Sequence, residues 1–205
     1  MVYVDKKIKE AYEFIENYFG DNSTSYVFTA DHGMSSLGSH GDGNPENTKT
    51  PLVSWGAGVQ KPQTLNPAMV DGDFASWNLG NLRSVDVEQA DIAILMATLI
   101  GVELPVNSVG ILPIDYLGKD EKFKTHALFT NTKQILEQYI VKESIKRREE
   151  IFFIPYHELN MDRHSYVDEV DLISKLIDQE KFTEAQTECH LLIDRVLRGL
   201  RYLQT

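Results

Sequence analysis

The chain has 205 residues, 42% hydrophobic and 25% charged, the proportions of a globular domain with a sizeable core. Twenty Lys and Arg against 31 Asp and Glu leave a net charge of −11. That balance disfavours any polyanion-binding role, so nucleic acid is not an expected partner.

The first predicted element is a helix over residues 5 to 19. Asp5 is its N-cap, Ile8, Ala11, Tyr12, Ile15 and Phe19 recur at helical spacing, and Gly20 stops it. Asn22-Ser23-Thr24, in the polar turn that follows, is an N-glycosylation acceptor triplet with Asn22 as the candidate site. Such triplets also arise by chance, so it carries little weight alone.

The apolar run Tyr26 to Ala30 reads as a buried strand that delivers Asp31-His32-Gly33-Met34, followed by Gly38-Ser39-His40-Gly41. A carboxylate and two imidazoles are ligands that Zn²⁺ accepts, and strand ends of an α/β sheet are where ligands bind. Gly33, Gly38 and Gly41 allow positive φ and leave space beside a metal. A lone Asp-His pair would more simply be a helix-capping turn; the second glycine-flanked histidine tips the reading to a site. Asp42 to Asn47 is a loop by its turn residues, with Asp42 read as a solvated carboxylate, and Leu52 to Trp55 is a second strand.

Residues 60 to 84 carry no assignable pattern. A buried helix follows from Val87 to Ile100, with Asp86 as N-cap, Gln89 completing a capping box and Asp91 a structural carboxylate of the first turn. An amphipathic helix is predicted over 125 to 148, its end charged by Lys146-Arg147-Arg148-Glu149-Glu150. Two further helices, about 165 to 178 and 183 to 202, form a hairpin, with Thr183 and Gln186 as a capping box. His126, His157, His164 and His190 are scattered and read as surface or core residues, and Cys189 as a buried inert thiol.

Three stretches carry a family resemblance: Phe28 to Met34 with Gly38 to Gly41, Thr50-Pro51-Leu52-Val53-Ser54-Trp55-Gly56-Ala57-Gly58, and the later Val87 to Ala93 and Pro105 to Pro113. They resemble the second half of the alkaline-phosphatase-type catalytic domain and, within that superfamily, the ethanolamine phosphate transferases of glycosylphosphatidylinositol (GPI) biosynthesis. The resemblance implies an α/β fold: the C-terminal half of an alkaline-phosphatase-like domain over residues 1–118, then a helical extension over 119–205 leading toward a membrane region outside this chain. It also implies a metal set. Asp31 and His32 would bind one ion of a two-zinc pair and His40 the other, clamping an in-line phosphoryl displacement. No catalytic residue is expected in the chain itself, because the family's Thr nucleophile and remaining ligands would lie upstream.

The implied reaction is transfer of phosphoethanolamine from phosphatidylethanolamine to the first mannose of the GPI lipid precursor, on the luminal side of the endoplasmic reticulum membrane. The isolated chain is expected to be inactive. Composition alone reads differently. Met1-Val2-Tyr3-Val4 runs straight into Asp5-Lys6-Lys7 without a leader, and the longest apolar run, Ile92 to Val102, is shorter than the roughly 20 residues of a bilayer span, which suggests the cytosol. The alternatives are another phosphodiesterase, sulfatase or phosphomutase of the superfamily, and a non-catalytic helical interaction protein using residues 125 to 205.

Overall fold

The computed structural model describes residues 2–64, 82–159 and 166–204. Most of the unassigned 60–84 stretch, and His164, lie outside these residues. The chain divides into two compact units, residues 1–61 and 62–205.

In the first unit α1 (Val2–Phe19) begins three residues before the predicted start and ends where Gly20 adopts φ +62°. Its Ile8, Ala11, Tyr12 and Ile15 line a groove with Tyr26, Val27, Phe28 and Trp55. β1 (Ser25–Phe28) and β2 (Val53–Gly56) pair antiparallel in a two-stranded sheet, Tyr26 opposite Trp55. Those two rings stack at 5.1 Å between centroids, and the Tyr26 hydroxyl donates to Glu16 of α1 at 2.6 Å. Burial first, and the Glu16 carboxylate second, push that hydroxyl up to about 12.

Gly56 is required by close approach: at φ +92° an added Cβ would sit 2.4 Å from the Thr24 carbonyl oxygen. The first strand ends at Phe28, not Ala30, and is half-buried, with Phe28 exposed. A strand with one partner, covered by α1 on one face, cannot bury both of its faces. Between the strands the predicted loop is partly helical: α2 (Pro45–Thr48) is one turn capped by the Asn44 side chain, which accepts from Glu46 N.

The second unit is helical. α3 (Asp91–Ile100) starts four residues later than the capping box at Asp86 and Gln89 predicts. The Asp91 carboxylate reaches back to accept Glu88 N at 3.0 Å and across to accept Ile111 N at 2.7 Å, which holds the preceding turn closed and makes Asp91 the structural residue expected. α4 (Glu121–Glu149) starts early because Asp120 accepts from Phe123 N at 2.8 Å.

α5 (Tyr166–Asp178) and α6 (Phe182–Tyr202) follow, and α6 packs on both α4 and α5. The predicted Thr183/Gln186 capping box is absent. Lys181 caps α6, so Thr183 is already inside the helix, and Gln186 Nε2 donates instead to Glu121 and Thr125 of α4. Ile94, Leu112 and Leu117 share one core with Leu128, Ile135, Tyr139, Leu192, Ile193 and Val196. Residues 82–118 thus pack with 119–204. Cys189 is buried and free, its thiol pushed up by burial. Among the described residues no helix is long and apolar enough to cross a membrane.

Candidate metal centre

The candidate ligands lie on the loop that leaves β1. Phe28 is the last strand residue, and the exposed Asp31 stands three positions on. The Asp31 carboxylate turns back on the loop, Oδ1 accepting His32 N at 3.0 Å and Oδ2 facing His32 Nε2 at 3.7 Å. On the other side of the ring, His32 Nδ1–H donates to the Gly33 carbonyl at 2.7 Å. That bond fixes the proton on Nδ1 and leaves the Nε2 lone pair for a metal in the neutral ring.

The ring of His40 stacks on that of His32 with centroids 5.0 Å apart and planes inclined by 21°. The three predicted ligands are therefore brought together, although all of them are exposed.

The loop is closed at two levels. At its tip Ser35 and Ser39 are cross-bonded: Ser35 N donates to Ser39 O at 2.9 Å, Ser39 N to Ser35 Oγ at 3.2 Å, and Gly38 N to Ser35 O at 2.9 Å. At its base Gly33 N donates to the Asn47 carbonyl at 2.8 Å, and Asn47 Nδ2 donates to Asp42 Oδ1 at 2.5 Å.

Only Gly38 of the three loop glycines takes positive φ, +79°. Gly33 serves close packing instead, since an added Cβ would lie 2.1 Å from the Glu46 carbonyl oxygen. Asp42, read as a solvated carboxylate, is exposed but structural: its Oδ1 also accepts Asn44 N at 2.9 Å. Asn47 was not singled out by sequence reasoning, and the Asp42-x-Asn44 turn spacing was the one signal that pointed to it.

The donor set suits zinc in part. Two ligands of a tetrahedral zinc with arms of about 2.0–2.1 Å stand roughly 3.3 Å apart, and the Asp31–His32 separation of 3.7 Å is close to that. Among the described residues no group of three or more His, Cys, Asp or Glu is arranged to hold a metal by itself. Asp31 and His32 fit as two ligands of one ion, with His40 beside them for a second. Completing either tetrahedral shell requires ligands from elsewhere. The other described histidines, His126, His157 and His190, are exposed on separate helical segments of the second unit. Asn22 is exposed in the turn between α1 and β1 at φ +54°.

Comparison with known proteins gives a coherent set of relatives. The chain is 48% identical to GPI ethanolamine phosphate transferase 1 of Gibberella zeae over 209 aligned residues, covering 98% of this chain and 21% of that protein. It is 44% identical to the protein of the same name from Mus musculus, over 98% of this chain and 22% of the relative. It is 43% identical to that of Candida glabrata, over 100% of this chain and 23% of the relative. The chain thus spans about a fifth of the length of the curated relatives it matches. No family model matches it. No solved structure matches it either.

Proposed function

We propose, from the homology of this chain to a segment of GPI ethanolamine phosphate transferase 1, that it forms the metal-ligating part of such a transferase. The observation that carries the reading is the Asp31–His32–His40 loop inside a likeness that runs the length of the chain. In this reading residues 1–118 are the C-terminal part of an alkaline-phosphatase-like α/β catalytic domain, and the helices beyond them lead toward a membrane region.

The substrates are phosphatidylethanolamine and the GPI lipid precursor, whose first mannose accepts phosphoethanolamine through a threonine supplied by a part of the protein outside this chain. When bound, two divalent ions, zinc by the donor set, clamp the attacking and leaving oxygens of the in-line displacement. The residues of this chain hold and orient. Asp31 contributes the anionic oxygen that neutralises metal charge. His32 presents Nε2 because Nδ1–H is committed to Gly33. His40 is kept beside it by the stacked geometry. The reaction sits on the luminal side of the endoplasmic reticulum, where an exposed Asn22 is open to glycosylation. Alone the chain is catalytically silent, because neither shell is complete and the nucleophile is absent.

The test is a chimera in which this chain replaces the matching segment of a full-length relative. The chimera should transfer phosphoethanolamine to a GPI precursor in a strain lacking the enzyme. Asp31→Asn should lower transfer at least about 100-fold while leaving the folded protein in the membrane, because it removes an anionic ligand and nearly preserves shape. Transfer by that variant at the unsubstituted chimera's rate would overturn the assignment.

A further inference from the structure

We propose that Asn47 is a positioning residue, a latch that ties together the two arms of the loop carrying Asp31, His32 and His40. The proposal rests on the metal-centre reading for its purpose, though not for its geometry. One arm carries Asp31 and His32 and ends at Gly33. The other carries His40 and ends at Asp42. Asn47 is bonded to both: its main-chain carbonyl accepts Gly33 N at 2.8 Å, and its side-chain Nδ2 donates to Asp42 Oδ1 at 2.5 Å. Its own N–H is anchored in α2 by Asn44 O at 2.8 Å, so the latch is fixed on a helical turn.

Burial sets this residue apart. Among the described residues up to 61, Asn47 alone is buried, at 2% exposure, in a unit whose aliphatic and aromatic side chains all remain at least partly open. A polar side chain in the most protected position of a weakly packed unit is there for its bonds, since an amide gains nothing from burial itself. Its orientation is dictated too. Turning the amide over would put Oδ1 against the Asp42 carboxylate, so Nδ2 faces Asp42 and Oδ1 is left buried without a partner. The fold accepts that unsatisfied acceptor in exchange for a fixed Asp42. Gly33 completes the latch, because its missing side chain is what lets the first arm lie against the Glu46 carbonyl.

Metal ligands placed only by a flexible exposed loop are ordered by the groups behind them, whose loss typically lowers metal affinity 10- to 100-fold. Asn47 is that group for both arms at once.

The experiment uses the 205-residue chain and Zn²⁺ as probe, with two readouts: the ring-to-ring nuclear Overhauser effect between His32 and His40 without metal, and Zn²⁺ affinity by calorimetry. Asn47→Ala should abolish the ring contact and weaken Zn²⁺ binding by about tenfold or more. The reciprocal pair Asn47→Asp with Asp42→Asn, which restores an amide-to-carboxylate bond in reverse, should recover both. Unchanged ring contact and affinity in Asn47→Ala would overturn the proposal. Should Asn47→Ala unfold residues 2–61, the reciprocal pair decides: recovered ring contact supports the latch, and its loss overturns it. Ring contact that depends on Asn47 in a chain without Zn²⁺ affinity would keep the latch and remove the metal reading.

Discussion

Residues up to 61 and residues from 62 onward are held together by different physics. The second unit buries Ile94, Leu128, Ile135, Ile173, Leu192, Ile193 and Val196 completely, a continuous apolar core gathered from α3, α4, α5 and α6. The first unit buries no apolar side chain among its described residues, and it exposes Leu37 at 94% and Tyr18 at 73%. Its fixed points are polar or aromatic: Tyr26 on Glu16, the Tyr26–Trp55 stack, and Asn47 on Gly33 and Asp42. The residues proposed for chemistry all lie in the unit without an apolar core. Stability and candidate function are thus carried by separate parts of the chain, and a substitution in one should leave the other's behaviour largely intact.

The largest expected effect is in the helical unit. Leu192→Ala empties a fully buried position on α6 and should destabilise residues 82–204 by about 2–5 kcal/mol, read as a fall in the urea midpoint. A loss below about 1 kcal/mol would mean that α6 is not the packing centre it appears from burial.

The next effect depends on pH. Burial raises the Asp91 carboxyl above 3.8 against the opposing pull of the Ile111 and Glu88 N–H groups. The folded chain then binds that proton more readily than the unfolded chain, so the contribution of Asp91 is fully present below pH 3.8 and falls as pH rises through its raised pKa. Asp91→Asn removes that slope. Urea midpoints taken from about pH 3 to 6 should show the wild type losing ground relative to the variant as pH increases; parallel curves would contradict the burial of Asp91. The smallest effect belongs to the first unit, where Leu37→Ala should stay within about 0.5 kcal/mol despite deleting the same atoms as Leu192→Ala. A large loss there would erase the contrast between the units.

What the sequence disclosed follows the same division. Helix positions were legible because apolar residues recur on one face, and α4, α5 and α6 appear close to their predicted spans. Starts were less so. Gln89 and Gln186 both matched a capping box by spacing, yet Asp91 took over the turn at the first and contacts to α4 claimed the second. Such bonds join residues far apart in the chain, and local spacing does not contain them. The same holds for Asn131, buried in α4, whose side chain accepts Leu112 N at 2.9 Å and donates to Gly110 O at 3.1 Å. In the candidate site, Asp31, His32 and His40 were legible from residue type and glycine spacing. Asn47 was hidden, because an asparagine in a turn-rich stretch looks like a loop residue until burial is known.

The central claim is that Asp31 and His32 ligate one metal ion and His40 a second. The most direct measurement is anomalous diffraction at the zinc edge from the full-length chimera containing this chain. The account predicts two peaks about 3.5–4 Å apart, one within bonding distance of Asp31 and His32 and the other of His40. Zinc bound with none of these three side chains as ligands would contradict it.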